Sequence, residues 1–243
     1  MKILQAIKNN IPNAITCLNL VCGTLACIAA FSCVDSFWFN LQGYEVAFIF
    51  IGLAAVMDFL DGLVARLIHA VSPLGKELDS LCDLVSFGLA PALILYNMLA
   101  AAEPCSIWRF APLLIPVCGA LRLARFNIDT NQTTTFTGLP IPANAIFWIG
   151  FTNWFATHHT ALEQWQVAII VAIMSWLMIC RLRIFSLKVH SFGLKENWSR
   201  YLLIVGAIIA VILAGIDGFA WTILLYVALS IVTPADNEAH AKQ

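Results

Sequence analysis

Long apolar runs recur along the whole chain, and they constrain its fold more than any other feature. A helix needs roughly 20 apolar residues to cross the hydrocarbon layer of a membrane, and its backbone groups must be satisfied within the helix itself. Hydrophobic residues make up 61% of the 243 residues and charged residues only 11%, which lies far outside the range of soluble domains. The sequence therefore predicts an all-α, polytopic helical bundle in a membrane.

Eight segments are apolar enough to be predicted as transmembrane helices, with seven as the alternative count. They are 13–31, 44–69, 73–99, 108–123, 139–155, 165–180, 200–213 and 219–232. The last two are short and closely spaced, so we expect a tight helical hairpin or a partly interfacial pair. No internal repeat divides the chain, and we interpret residues 1–243 as one domain with a flexible tail at 234–243.

The basic residues indicate the orientation of these spans, because Lys and Arg are disfavoured in translocated loops. If the N-terminus is cytoplasmic, every Lys and Arg except Arg109 falls on the cytoplasmic side. The opposite loops instead carry acidic residues, namely Asp35, Glu45, Glu103, Glu163 and Asp217. The charge pattern therefore predicts that both termini are cytoplasmic. The net charge of −1 provides no basic field, so no nucleic-acid partner is expected.

Four carboxylates lie inside or at the edge of the second and third predicted spans. Asp58 and Asp61 are three residues apart, and Asp79 and Asp83 are four apart, so each pair shares one helix face. Charged residues at membrane depth are expensive, and they usually line a cavity and bind something. These aspartates are therefore the first candidates for a functional site.

The two pairs are expected to meet across a turn. Ser72 and Pro73 have the pattern of an N-cap followed by proline at the first helical position, so the third span begins there. With the turn centred near Val71, a rise of 1.5 Å per residue puts Asp61 and Asp79 roughly 15 and 12 Å from it. The pairs should therefore lie at matching depths.

Facing carboxylates in a low-dielectric site repel one another unless cations neutralise them or several are protonated. Hard oxygen ligands, with no His or Cys nearby, select Mg²⁺, Mn²⁺ or Ca²⁺ over zinc, and two ions would balance the charge better than one. The spacing alone leaves an alternative open, which is the proton-coupled or ion-coupled carboxylate cluster of a cation transporter.

The residues around the aspartates resemble the signature of a known family. The chain reads Asp58-Phe-Leu-Asp61-Gly62-Leu-Val-Ala65-Arg66 and, after eight residues, Gly75-Lys-Glu-Leu-Asp79-Ser-Leu-Cys-Asp83. All eight fixed positions of D-x2-D-G-x2-A-R-x8-G-x3-D-x3-D are present at the spacing of the CDP-alcohol phosphotransferase family. The resemblance implies a membrane transferase that acts on a CDP-linked lipid.

The resemblance also implies a role for each residue of the signature. The metal ligands would be Asp58, Asp61, Asp79 and Asp83. The cofactor would be two ions of Mg²⁺ or Mn²⁺, with Ca²⁺ possible in the site. The cytidine diphosphate group would be bound by Asp61, Gly62, Ala65, Arg66 and Gly75. Asp83 would also be the general base. Close helix packing is the alternative role for Gly62 and Ala65.

Three further segments resemble the phosphatidylserine synthase branch of this family, namely 12–23, 122–127 and 138–143. The glycerol-phosphate branch usually has arginine where this chain has Asn19. The resemblance therefore implies transfer of a phosphatidyl group from CDP-diacylglycerol to L-serine, with release of CMP. The same reaction with another acceptor, such as glycerol 3-phosphate, a polyol phosphate or choline, is the alternative.

Serine carries a carboxylate and an ammonium, so its pocket should contain an arginine and hydrogen-bond acceptors. Arg122 and Arg125, at the cytoplasmic end of the fourth span, and Asn127, in the loop that follows, are the candidates. Ordinary anchoring of the span by positive charge is the alternative for both arginines. Asn13 and Thr16 are candidates for contacts with the nucleotide, although Asn13 could equally be a helix N-cap.

The family resemblance also sets the expected partners and location. The partners would be CDP-diacylglycerol, L-serine and membrane lipids, with a homodimer as the expected assembly. The protein would lie in the cytoplasmic membrane of a prokaryote, with its active site facing the cytoplasm.

Overall fold

The computed structural model describes residues 2–38, 40–128, 136–158, 162–185 and 197–233. These residues contain nine α-helices: α1 Lys2–Ala30, α2 Gly43–Leu67, α3 Pro73–Asp83, α4 Ala90–Ala102, α5 Leu114–Ile128, α6 Ile141–Thr157, α7 Gln164–Ile179, α8 Trp198–Ala214 and α9 Gly218–Val232. The predicted tail at 234–243 lies outside the described residues.

Short segments connect several of these helices. A π-helical segment, Leu84–Leu89, joins α3 to α4, and 3₁₀ turns at Ile107–Leu113 and Gly215–Asp217 precede α5 and α9. The described part of the chain also has two small antiparallel pairs of strands: β1 Ser36–Trp38 with β2 Leu41–Gln42, and β3 Phe136–Thr137 with β4 Arg183–Ile184. The strands were not predicted, and they add only a few residues to a helical fold.

Within the described residues, five helical stretches are long and apolar enough to cross a membrane: Asn10–Ala30, Gly43–Leu67, Pro73–Ala102, Ile107–Ile128 and Trp198–Val232. The last contains both α8 and α9, and α7 is a shorter apolar helix. Large apolar side chains on their outer faces are highly exposed, such as Ile212 at 75% and Leu213 at 80%, as lipid-facing residues would be. The predicted all-α membrane bundle is confirmed. The count of eight spans and the cytoplasmic termini stay predictions.

Two predicted helix ends are wrong. The first span was predicted to begin at residue 13, just after Pro12, but α1 runs from Lys2 through Pro12. Proline removes one hydrogen bond from a helix interior, and a long helix can absorb that loss locally. The fourth span was predicted to end at residue 123, with Asn127 in the loop that follows. Helix α5 instead continues to Ile128, so Asn127 is helical.

The turn between α2 and α3 has the predicted capping chemistry. The backbone N–H of Gly75 donates to Ser72 Oγ at 3.0 Å, and Pro73 is the first residue of α3. On the other side of the turn, His69 adopts a left-handed φ of 53° and ends α2. The backbone N–H of Ala70 then donates to the carbonyl of Ala65 at 2.9 Å, which is the longer bond of a Schellman motif.

The buried core of the bundle contains residues from every described helix except α3 and from the π-helical segment. Its largest fully buried side chains include Phe87, Leu95, Ile115 and Trp148. Close approach in this region depends on a small residue, because a methyl group at Gly119 would lie 2.6 Å from Ile141 Cδ1. The π-helical segment packs closely here as well, because a methyl group at Gly88 would lie 3.4 Å from Ile141 Cδ1.

Candidate active site

Three aspartates from α2 and α3 form a compact cluster. Asp58, Asp61 and Asp79 each offer a carboxylate oxygen, and these oxygens lie within 4.8 Å of one another. Asp61 is buried, and the other two are half-buried. The predicted meeting of the two aspartate pairs across the turn is therefore confirmed for these three residues.

The cluster fits a hard divalent cation. Within the described part of the chain, Asp61 Oδ2 and Asp79 Oδ1 are buried and have no hydrogen-bond partner. Such an atom is costly to bury unless something satisfies it, and three converging carboxylates also repel one another. Oxygen ligands of this kind suit Mg²⁺, Mn²⁺ or Ca²⁺. The clustered ligand atoms among the described residues are carboxylate oxygens, although Cys82 is close enough to the aspartates to interact with them electrostatically.

Asp83, the last residue of α3, lies one helical turn beyond Asp79. It is buried and close enough to the three clustered aspartates to interact with them electrostatically. Its Oδ1 accepts a hydrogen bond of 3.3 Å from Asn19 Nδ2 on α1. Helix α1 therefore holds the Asp83 side chain, whereas the cluster itself is formed by residues of α2 and α3.

The N-terminal half of α1 meets the start of α3 beside the cluster. A methyl group at Gly75 would lie only 3.1 Å from Asn13 Oδ1, so the glycine allows the two helices to approach closely. Thr16 is buried beside the Asp61 carboxylate, and its hydroxyl donates to the carbonyl of Pro12 at 3.0 Å. The structure thus brings together four of the residues predicted to bind the nucleotide. The alternative role of Asn13 as an N-cap is wrong, because Asn13 lies inside α1.

Three more candidates follow Asp61 along α2. Gly62 and Ala65 are half-buried, and Arg66 is exposed in the last turn. Arg66 Nε donates to the carbonyl of Gly62 at 2.8 Å, which keeps the guanidinium beside the glycine. A cation in the last turn also interacts favourably with the helix dipole. These residues line the side of α2 that leads from the cluster to the end of the helix.

Of the three predicted serine-binding residues, Arg122 is the one that the structure brings to the aspartates. It is close enough to Asp83 and to Tyr226 of α9 to interact electrostatically with both. Its Nε is buried and has no hydrogen-bond partner among the residues described. Tyr226 in turn donates its hydroxyl to the carbonyl of Phe185 at 2.9 Å, which restricts the position of its ring.

The other two serine-binding candidates contact neighbouring helices. Arg125 Nη1 donates to the carbonyl of Ile179 at 2.9 Å, at the C-terminal end of α7. Asn127 Nδ2 donates to Glu77 Oε2 at 3.1 Å and to Ser80 Oγ at 3.0 Å on α3. Both residues therefore join helices near the site.

No site role was predicted for Asn19, Ser86 or Tyr226. Asn19 and Ser86 are fully buried, and they connect α1 to Asp83. A signal was present, since polar residues recur every three positions at Asn13, Thr16 and Asn19 on one face of an apolar helix. Tyr226 gave no such signal, because it is separated from the site by about half of the chain.

A helical bundle in which carboxylates from consecutive helices converge defines a membrane protein with an acidic cluster of oxygen ligands. The sequence model of CDP-alcohol phosphatidyltransferases matches residues 9–180, and the chain belongs to that family. The matched region contains every candidate site residue named from the sequence and ends before α8.

Similar proteins are known in bacteria and archaea. The CDP-diacylglycerol-serine O-phosphatidyltransferase of Bacillus subtilis (strain 168) is 41% identical over 134 residues, covering 55% of this chain and 70% of that protein. The enzyme with the same name from Mycobacterium tuberculosis (strain ATCC 25618 / H37Rv) is 32% identical over 214 residues, covering 82% and 68%. Archaetidylserine synthase of Methanothermobacter thermautotrophicus is 46% identical over 96 residues, covering 39% and 40%.

Proposed function

We propose that this chain transfers the phosphatidyl group of CDP-diacylglycerol to the hydroxyl of L-serine, giving phosphatidylserine and CMP. The observation that carries the proposal is the cluster of Asp58, Asp61 and Asp79 with Asp83 beside it, set in the signature of a phosphatidyltransferase family. The relatives named for serine as acceptor support the choice of alcohol. Membership of a family of transferases argues against the alternative function of cation transport.

The proposed metal ligands are Asp58, Asp61, Asp79 and Asp83, and the proposed cofactor is two ions of Mg²⁺ or Mn²⁺, with Ca²⁺ as a further cation that the oxygen ligands suit. When bound, such ions would neutralise negative charge on the pyrophosphate and on departing CMP. The two buried oxygens without a partner in the described structure support this assignment.

Asp83 is the proposed general base. In the reaction, the serine oxygen forms a bond to the phosphorus that carries the diacylglycerol, and the bond from that phosphorus to CMP breaks. The hydroxyl proton moves to the Asp83 carboxylate, either directly or through one water. We favour direct attack without a covalent intermediate, because the signature contains no activated Ser, Cys or His nucleophile.

The nucleotide is proposed to lie between α1 and α2, against Asn13, Thr16, Asp61, Gly62, Ala65, Arg66 and Gly75. Gly62 and Gly75 expose backbone to a phosphate, and the Arg66 guanidinium pairs with a pyrophosphate oxygen. The meeting of Asn13, Thr16 and Gly75 next to Asp61 supports this arrangement.

The serine pocket is proposed to contain Arg122, Arg125 and Asn127. Arg122 binds the serine carboxylate, because it is the arginine beside Asp83 and its buried Nε has no partner in the described residues. Arg125 and Asn127 contribute to the rim, and the buried Asn127 Oδ1, which also has no partner there, is an acceptor for the ammonium.

We also propose that the protein lies in the cytoplasmic membrane of a prokaryote with its site facing the cytoplasm. Exposed cations such as Arg66, Lys76 and Arg125 collect at the end of the bundle that carries the site, as expected for a cytoplasmic face. A homodimer remains a prediction of the family resemblance, and the mass of the purified protein in detergent, corrected for bound detergent, would test it.

The experiment that tests the function is to incubate the purified full chain with CDP-diacylglycerol, Mn²⁺ or Mg²⁺ and a panel of acceptors. The panel contains serine, glycerol 3-phosphate, a polyol phosphate and choline, and both CMP and the lipid product are measured. We expect phosphatidylserine with serine, and a loss of roughly 10² to 10⁴ in rate for Asp83→Asn, which keeps the shape and removes the base. A lipid product with glycerol 3-phosphate but not with serine would contradict the assigned acceptor.

A further inference from the structure

A chain of buried hydrogen bonds leads to Asp83 from behind. Ser86 Oγ donates to Asn19 Oδ1 at 2.6 Å, and Asn19 Nδ2 donates to Asp83 Oδ1 at 3.3 Å. Asn19 and Ser86 are both 0% exposed, and Asp83 is 8% exposed. Three polar side chains are thus connected in a region where each must find its partners within the protein.

The chemistry of the three groups fixes the direction of this chain. A carboxylate only accepts hydrogen bonds, so the amide must turn its NH₂ group toward Asp83. The amide oxygen of Asn19 then faces Ser86, whose hydroxyl donates to it. Ser86 therefore stabilises the orientation in which the Asn19 amide turns its NH₂ group toward Asp83, and Asn19 in turn holds one oxygen of Asp83.

The backbone is built to allow these contacts. A methyl group at Gly23, one turn beyond Asn19 on α1, would overlap the Ser86 side chain and lie 2.8 Å from its Cα. Only glycine at this position lets Ser86 reach α1. Ser86 itself lies in the π-helical segment directly after Asp83, which places it beside the same face of α1.

We propose that Asn19 is a positioning residue for the reaction, with Ser86 acting through it. Asn19 binds Asp83 Oδ1 and orients the carboxylate so that Oδ2 accepts the proton of the acceptor hydroxyl. The inference rests on the proposed role of Asp83 as general base. It concerns the direction in which the carboxylate points, since a proton acceptor works only within hydrogen-bond reach of the proton that it takes.

The first test is Asn19→Leu, which is similar in size and removes the amide. In this variant the Ser86 hydroxyl keeps a second acceptor, the carbonyl of residue 19 at 3.2 Å, so only Asp83 loses its partner. We expect kcat for serine-dependent CMP release to fall about ten- to a hundredfold, as for loss of a hydrogen bond to a charged group. The KM for CDP-diacylglycerol should change less than about twofold, because the nucleotide is bound elsewhere.

A control variant removes a buried polar group that is not connected to Asp83. Thr152 on α6 is 0% exposed, and its hydroxyl donates only within its own helix in the bonds described. Thr152→Val should leave kcat and both KM values unchanged. A thermal midpoint for Asn19→Leu close to that of Thr152→Val would show that the folded protein is intact.

The second test is a double-mutant cycle with Ser86→Ala. This variant leaves Asn19 able to flip, so kcat should fall severalfold in the wild-type background and not at all in the Asn19→Leu background. An equal effect of Ser86→Ala in both backgrounds would overturn the proposal. So would wild-type kcat in Asn19→Leu, or a parallel rise of the KM for CDP-diacylglycerol.

The panel of acceptor alcohols distinguishes a failure of the positioning role of Asn19 from a failure of the proposed function. If the wild type uses another alcohol instead of serine, the serine assignment fails, and the Asn19 and Ser86 variants are compared with that alcohol. If Asp83→Asn retained turnover, both the assignment of Asp83 as general base and the positioning role of Asn19 would be wrong. If Asp83→Asn were inactive and Asn19→Leu had the kcat of the wild type, only the positioning role would be wrong.

Discussion

At the scale of single residues, negative charge dominates the site. Asp79 converges with Asp58 and Asp61 and buries an oxygen that has no partner in the described structure. Such an arrangement is unfavourable for folding by itself, because like charges repel in a medium of low dielectric constant. The aspartate cluster is therefore better explained by the binding of a ligand than by a contribution to stability.

Asp79→Asn should separate binding from folding. We expect turnover to fall by more than about a hundredfold, because a metal ligand is lost. With chelator present, the thermal midpoint should be equal to that of the wild type or higher, because the substitution removes repulsion. Adding Mn²⁺ at about a hundred times its Kd should stabilise the wild type by about 2.7 kcal/mol and the variant much less. Glu103→Gln, an exposed acid at the opposite end of α4, is the matched control. Retained turnover in Asp79→Asn would remove the metal assignment.

Arg122→Ala tests the serine pocket. Loss of a charge-assisted contact worth roughly 1.5 to 3 kcal/mol should raise the KM for serine about ten- to a hundredfold. The KM for CDP-diacylglycerol should move much less. Arg125→Ala provides the comparison, because its described bond is to the end of α7, and we expect a lower thermal midpoint with a smaller change in serine KM. If Arg122→Ala also abolishes slow, serine-independent release of CMP, the arginine supports the nucleotide or the fold instead.

The residues of this site differ in how far the sequence could predict them. The aspartates could be placed because a fixed spacing within a helix determines which side chains share a face. The contact between Asn19 and Ser86 could not be predicted, because it joins residues 67 positions apart and depends on how α1 packs against the π-helical segment. The same holds for Tyr226, which reaches Arg122 from the last helix.

At the scale of elements, close approach between α1 and its neighbours depends on glycine. Gly23→Ala should force α1 away from the segment that contains Ser86, and the overpacking should cost roughly 1 to 3 kcal/mol of stability. Gly52→Ala is the matched control on α2, because no atom lies within 4 Å of its added methyl group. It should be neutral or stabilising by up to about 1 kcal/mol, since alanine favours helix. Equal thermal midpoints for the two variants would contradict the importance of this approach.

The boundaries of elements were predictable where local chemistry sets them. Ser72 and Pro73 start α3 as predicted, because a cap and a first-turn proline act over a few residues. The pairing of Phe136 with Ile184 was not predictable, because it needs two distant segments to meet. The passage of α1 through Pro12 shows that proline lowers helix preference without excluding a long helix.

At the scale of the whole molecule, the orientation in the membrane remains to be tested. Helices α8 and α9 have 17 and 15 residues, which is short for a complete crossing. The eight-span topology depends on both of them crossing. The single-domain organisation of residues 1–243 likewise stays a prediction.

Thiol labelling of intact cells should determine the topology. In a background without accessible native cysteines, Val71→Cys in the exposed turn after α2 should not react with a membrane-impermeant reagent until the cells are opened. His158→Cys, at the end of α6, should react from outside. Native Cys105, which is exposed between α4 and α5, is a second site predicted to be outside and serves as the positive control when restored alone. Reaction of Val71→Cys and His158→Cys from the same side would overturn the eight-span arrangement.

The wide turn at Leu84–Leu89 separates the helical phase of α3 from that of α4. One residue more than an α-helix needs rotates everything that follows by about 100°. Pro91 lies just after it and has no N–H to continue a regular ladder, which favours such a break. A single continuous helical stretch, Pro73–Ala102, can therefore direct Asp83 toward one partner helix and Leu95 toward another, and deletion of one residue here would turn one of the two away from its neighbours.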